Sequence, residues 1–218
     1  PVLLNGRKVE EGPTDEFTEA RIPRAMTGHD IGHERHVWTG DDGATPRLSV
    51  RGLSVGDTVR GVDLDLHRGE IVGLSGLLGS GRTELAMALF GMEPHSGDIR
   101  LDGTPLSLSS VQDAVAAGIA YVPEDRLSEG LFMRQPIARN VIASAIGRVT
   151  RGPFLDHDRL NGLAERIVSD MRIATPDIEK HAGQLSGGNQ QRVVIGRWLL
   201  TNPKVLILNG PTVGVGVG

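Results

Sequence analysis

Strands alternating with helices predict a mixed α/β core with a helical insert. Three observations carry that reading. Residues 48–55 and 62–67 alternate apolar and polar side chains, as antiparallel strands do. A glycine-rich loop, Gly76-Leu-Leu-Gly79-Ser80-Gly81-Arg82-Thr83, stands between an apolar run, Ile71 to Ser75, and a helix-like run, Arg82 to Leu89. Residues 136–172 read as mostly helical, interrupted around 147–153.

The elements follow in order. Val2 to Val9 reads as a hairpin turning at Asn5-Gly6. Thr14 is expected to cap a helical stretch reaching Met26, which Pro23 should kink or break. Residues 28–46 are rich in Gly, Asp and His, lack periodicity and read as a linker. A hairpin and one helix cannot bury a core, so residues 1–27 read as the tail of a preceding domain, 28–47 as a linker, and 48–218 as the principal domain. Within it, Ile71 to Ser75 is expected to be a buried strand entering the loop. Asp98 to Asp102 and Ile119 to Val122 read as strands, and Ser110 to Ala117 as a helix ending at Gly118. A second helix is expected from Asn189 to Leu200, and Lys204 to Asn209 as a buried parallel strand. No internal repeat or low-complexity segment is present.

Composition narrows the function classes. With 39% hydrophobic residues over 218, the chain can bury one sizeable core. A net charge of −4 gives no general drive toward nucleic acid or anionic membrane. The absence of cysteine excludes disulfides and thiolate metal sites. No window offers the roughly 20 apolar residues of a spanning helix, and no signal peptide is read at the start, so membrane association is expected only through a partner. All but three of the 23 basic residues are arginine. His29, His33 and His36, with Asp30 and Glu34, would need a helix to converge on zinc, and Gly28 and Gly32 argue against one.

Two stretches carry phosphate chemistry. Glycines at 76, 79 and 81 let the backbone curl so that successive N–H groups point at phosphate oxygens, and Thr83 would place its hydroxyl on Mg²⁺. Arg82 stands where this spacing calls for lysine. It keeps the charge but is bulkier, planar and forked, so nucleotide binding should weaken and catalysis suffer. In Leu185-Ser186-Gly187-Gly188-Asn189-Gln190-Gln191-Arg192, two adjacent glycines leave N–H groups bare at a helix start, a site for a γ-phosphate.

Arg82-Thr83-Glu84, Tyr121-Val-Pro-Glu124-Asp125-Arg126, Glu129-Gly-Leu and the Leu185-to-Arg192 stretch together resemble the ATP-binding subunit of bacterial ribose-, galactose- or xylose-type ABC importers. Those subunits carry two cassettes in one chain, and this sequence is similar to the second, with 1–27 similar to the end of the first. The resemblance implies an ABC-type P-loop NTPase core, a mixed sheet with an antiparallel part. It also implies a helical insert at about 125–172, and a core that here stops before its last strands. It implies ATP and Mg²⁺ as cofactors, with Gly76, Gly79, Ser80, Gly81, Arg82, Thr83 and Glu84 on the nucleotide and Thr83 and Glu124 near the metal. Ser186, Gly187, Gly188 and Gln190 would close over ATP held by a partner, either the first cassette of the same subunit or a second copy.

Partner and place follow from the same resemblance. The insert would contact membrane permease subunits, placing the protein peripherally on the cytoplasmic face of the inner membrane, without nucleic acid and without direct membrane insertion. Departures from the family pattern bear on turnover. Asn209 and Gly210 stand where the family has the Walker B aspartate and the catalytic glutamate, and Val213 and Gly216 also depart from it. No catalytic residue is therefore intact, and the chain alone is expected to be inactive or nearly so. No aromatic residue lies between Trp38 and Phe90 to stack on adenine, so affinity should be modest, and Trp38 itself reads as a loosely packed linker residue. Two other classes compete. One is a regulatory module that binds nucleotide without hydrolysis. The other is a soluble ABC protein of DNA repair or translation, against which the lack of coiled coils, zinc modules and basic surfaces argues.

Overall fold

A computed structural model describes residues 1–4, 7–18, 21–27, 36–41 and 43–211. The described residues divide after Val37 into two compact units. The first holds a hairpin, β1 (Val2–Leu4) and β2 (Arg7–Glu10), and a short helix, α1 (Arg21–Thr27). The turn at 5–6 lies outside the described residues. The expected continuous helix from Thr14 is not formed. A single 3₁₀ turn, Thr14–Glu16, follows Pro13 with no side-chain cap, and α1 begins later. The expected break at Pro23 is not seen, since α1 runs unbroken through it. His29, Asp30, His33 and Glu34 lie outside the described residues.

The second unit opens with β3 (Leu48–Val55) and β4 (Val59–Leu66), paired antiparallel. After the phosphate loop comes α2 (Arg82–Leu89), then β5 (Ser96–Leu101) and β6 (Thr104–Pro105). The four strands form one antiparallel sheet in the order β4-β3-β5-β6. Its inward residues Val50, Leu53, Ile99 and Leu101 bury against Leu85, Ala88 and Leu89 of α2. Next, α3 (Val111–Ala117) is capped by Ser110, whose hydroxyl accepts from the N–H of Asp113, and leads into β7 (Ile119–Val122).

The insert then contains a π turn at Arg126–Gly130, α4 (Ile137–Ile142) and a 3₁₀ segment. It continues with a small hairpin of β8 (Thr150–Arg151) and β9 (Phe154–Leu155), and α5 (His157–Asp170). Finally α6 (Gly187–Leu199), starting two residues earlier than expected, leads to β10 (Val205–Leu208). These helices build a second core around Ile137, Val141, Leu160, Val193 and Val194. Phe90 ties the two cores together. Its ring stacks on Tyr121 at 5.3 Å and meets Trp198 edge-on at 5.5 Å.

Three sequence expectations need correction here. Ile71 to Ser75 is neither buried nor paired, and every residue from 71 to 80 is exposed, with Ile71 at 73%. The physical reason is a missing neighbour among the described residues, since β10 hydrogen-bonds only to β7, in parallel. For the same reason β10 is buried only at Val205, and Leu208 is 44% exposed. Trp38 is not loosely packed. Its ring lies 5.1 Å from that of His67, and its indole N–H donates to the Arg68 carbonyl at 3.0 Å.

Candidate nucleotide site

The loop between Ser75 and α2 is curled by its glycines. Gly79 and Gly81 take φ of +78° and +88°, in the left-handed region where a side chain is strained. A Cβ on Gly76 would stand 2.6 Å from the Ser80 hydroxyl, and one on Gly81 would stand 2.8 Å from Val59. The loop is thus folded tightly on itself and against the start of β4. Ser80 N–H closes a turn onto the Leu77 carbonyl, and the first helical bond of α2 runs from Leu85 to Gly81. The N–H groups of Gly81, Arg82, Thr83 and Glu84 find no acceptor among the described residues. They are donors at a helix start, facing a solvent-exposed loop, and Arg82, itself exposed, adds a fixed positive charge. Unpaired donors and positive charge at a helix start are the features that suit an anion such as phosphate.

Directly below lies a cleft of about 500 Å³ that includes Thr83, Tyr121, Glu124, Asp125, Glu129 and Asn209 in its lining. β10 carries Asn209 into it, and the Asn209 N–H is anchored on the Val122 carbonyl at 3.0 Å. The Asn209 amide Nδ2 lies 3.3 Å from the Thr83 hydroxyl and 3.2 Å from the Tyr121 hydroxyl. Burial raises the Tyr121 phenol above its ordinary value, Glu129 and Glu124 push the same way, and the Asn209 hydrogen bond opposes them. Asp125 is committed elsewhere. It caps the π turn by accepting from Leu127 N–H and from the N–H and hydroxyl of Ser128, which holds its carboxyl below the usual range.

Whether Mg²⁺ fits is decided by the donors at Thr83. The threonine oxygen meets an amide N–H₂, not a carboxylate. Among the described residues no group of three or more His, Cys, Asp or Glu side chains could hold a metal ion. Mg²⁺ requires oxygen ligands in near-octahedral array at about 2.0–2.1 Å. On a nucleotide the ion needs only one or two protein oxygens besides phosphate and water, and it is the amide N–H₂ on the Thr83 oxygen that does not fit it, while no hydrogen bond ties Glu124 to Thr83. Glu124 lines the cleft but is exposed.

The second phosphate-type helix start, at Ser186, is formed as a cap with extended backbone, φ −63° and ψ 156°. The N–H groups of Gly187 and Gly188 have no acceptor among the described residues, and the first helical bond is Gln190 to Ser186. Gln190, expected to face a ligand, is instead buried. Its side chain accepts from Arg126 Nε at 3.4 Å and donates to the Ala182 carbonyl at 3.4 Å. The physical reason is helical phase, since position 190 belongs to the inward face with 191, 193 and 194. The polar side chain at the open end is Asn189, which the sequence reading passed over. It donates to the Ser186 hydroxyl at 3.0 Å and accepts from Ala174 N–H at 2.9 Å. Its position three residues past a serine cap was the available clue. Gly210 has φ +55° and brings no side chain to the cleft, while Val213 and Gly216 lie outside the described residues. A larger cleft, about 720 Å³ beside Glu93, His95 and Asp98, shares no lining residue with the one under Thr83.

The family model described as ABC transporter matches residues 59–213. The chain is 41% identical over its whole length to the ribose import ATP-binding protein RbsA 1 of Agrobacterium fabrum, covering 42% of that protein. It is 40% identical over its whole length to RbsA 3 of Rubrobacter xylanophilus, covering 43% of it. The chain thus spans less than half the length of these relatives. Among solved structures, cbiO1 from Clostridium perfringens, part of an ABC transporter complex, aligns with a TM-score of 0.64 at 24% identity, over 79% of this chain and 68% of that one. A dimeric ATP-binding cassette, MJ0796, bound to ADP and Pi aligns at 0.63 and 21%, over 78% and 76%.

Proposed function

The chain belongs to the ABC transporter family, and from that premise we propose that it is the second nucleotide-binding cassette of a carbohydrate importer, one that holds ATP and turns it over poorly. The observation that carries the reading is the curled loop from Gly76 to Thr83, with unpaired N–H groups and Arg82 at the start of α2. In this proposal the backbone donors of residues 81–84 bind the phosphates, and Arg82 supplies the charge that lysine otherwise brings. The cleft offers no general base at Gly210 and a neutral amide at Asn209, which supports a holding role over a hydrolytic one.

The open helix start at Ser186, Gly187 and Gly188 would complete a partner's ATP site, with the first cassette of the same protein as that partner. Residues 1–27 would belong to that first cassette. The helices between residues 125 and 172 would meet a membrane permease, keeping the protein peripheral at the cytoplasmic face. No helix among the described residues is long and apolar enough to cross a membrane. The sugar class rests on the relatives named for ribose import.

The test is calorimetric titration of the chain with ATP, alongside Arg82→Ala. Binding that is lost in the variant is the expected result. No binding by either protein, or equal binding by both, would overturn the reading.

A further inference from the structure

Asn209 does more than leave out a charge. Its backbone is pinned to β7 through Val122, and its amide is held between two hydroxyls, Thr83 at 3.3 Å and Tyr121 at 3.2 Å. The Tyr121 ring is in turn fixed by stacking on Phe90. The amide therefore cannot swing away without giving up two hydrogen bonds, and its N–H protons point at the threonine oxygen that would have to face a cation. A carboxylate in that place draws a divalent cation in. An N–H₂ group presents positive partial charge there, and stands ready to donate to an anion instead.

The remaining acids of the cleft do not restore a site. Asp125 spends its oxygens on the turn that follows it, and Glu124 and Glu129 are exposed, with no hydrogen bond tying either to Thr83. Positive charge for the phosphates is instead built into the chain, through Arg82 beside the loop and the bare N–H groups of residues 81–84.

We infer that this phosphate loop takes its nucleotide without a divalent cation, Asn209 donating on the side of Thr83 where a metal would otherwise stand. This rests on the reading of the loop as a nucleotide site. It assigns Asn209 a binding role of its own, and it names the ligand form: the free nucleotide anion, not its magnesium complex.

Titration of the 218-residue chain with ATP, at matched ionic strength, in excess Mg²⁺ and then in excess EDTA separates the possibilities. The expected result is affinity unchanged within about twofold between the two buffers. Asn209→Asp should introduce metal dependence, binding at least about fivefold tighter in Mg²⁺ than in EDTA, because an unscreened carboxylate then faces the phosphates. A wild-type chain whose affinity falls about tenfold in EDTA would overturn the inference while leaving the nucleotide reading intact. Loss of that dependence in Glu124→Gln would then place the cation at Glu124. Absence of binding in both buffers would remove the underlying reading, and the inference with it.

Discussion

Replacing Arg197 by methionine and Asn140 by alanine should have very different consequences, although the two side chains are bonded to each other. Both are buried, and among the described residues no carboxylate pairs with the arginine. Burial lowers the Arg197 pKa from its ordinary value to about 10, a penalty on its charged form of about 3 kcal/mol. Against this stand two charge-assisted bonds, Nε to the Asn140 carbonyl at 2.7 Å and NH2 to Asn140 Oδ1 at 2.9 Å, together worth roughly 3–6 kcal/mol. The guanidinium also lies 5.7 Å from the centre of the exposed Phe132 ring, which adds about 0.5–1 kcal/mol. The surplus left to the arginine is about 0.5–4 kcal/mol, part of which a buried methionine recovers by apolar packing, so Arg197→Met should cost about 0–2 kcal/mol.

Asn140 has no such offset. Its Oδ1 also accepts from Phe132 N–H, and its Nδ2 donates to the carbonyls of Phe132, Gln135 and Pro136. Asn140→Ala leaves these groups and a buried cation short of partners, at roughly 1–3 kcal/mol for each group fully buried. A loss of at least about 4 kcal/mol and a Tm drop near 10 °C follow. Urea unfolding followed by Trp198 fluorescence reads both variants, since Trp198 neighbours Arg197 in α6. The double variant should cost less than the sum. If Arg197→Met proved as damaging as Asn140→Ala, the cation would be the organising group and the balance above would be wrong.

The tight loop makes a paired test of its geometry. Gly81→Ala combines a left-handed φ with a 2.8 Å approach to Val59 and should cost about 2–4 kcal/mol and abolish ATP binding. Gly79→Ala, with equal backbone strain and open space around it, should cost only about 1–2 kcal/mol, and equal losses in both would refute the steric argument. If the chain is the second cassette proposed above, Ser186→Arg in that two-cassette protein fills the open start of α6 and should lower ATPase activity by about tenfold or more. Unchanged turnover would show that this helix start touches no partner's nucleotide.

Local chemistry made much of the fold readable. Ser110 and Gly118 bracket α3 as a cap and a stop, and Arg82–Leu89 and Ile119–Val122 appear where their apolar spacing places them. The failures are those of long-range pairing. Ile71, Val72 and Leu74 have the composition of a central strand, but a buried strand is defined by neighbours, and β10 turns its second edge to no described strand. Composition records what a segment can bury and is silent on whether its partner is within reach. Trp38 failed in the opposite sense. A segment without periodicity hid a ring that packs on His67, because one aromatic contact leaves no pattern in sequence.

The site divides the same way. Spacing alone located the curled glycine loop, because the curl needs glycine at particular backbone angles, and the structure finds +78° and +88° at Gly79 and Gly81. It did not assign Gln190 and Asn189, since one residue of helical phase decides which of them turns inward. Asn209 sits between these cases. The missing charge is visible in the letter N, but the partners of its amide are not. In the structure its Nδ2 donates to two hydroxyls within 3.3 Å. A donor amide in place of a carboxylate reverses the polarity at the Thr83 oxygen, and that contact is the ground on which the loop is inferred to take the free nucleotide anion.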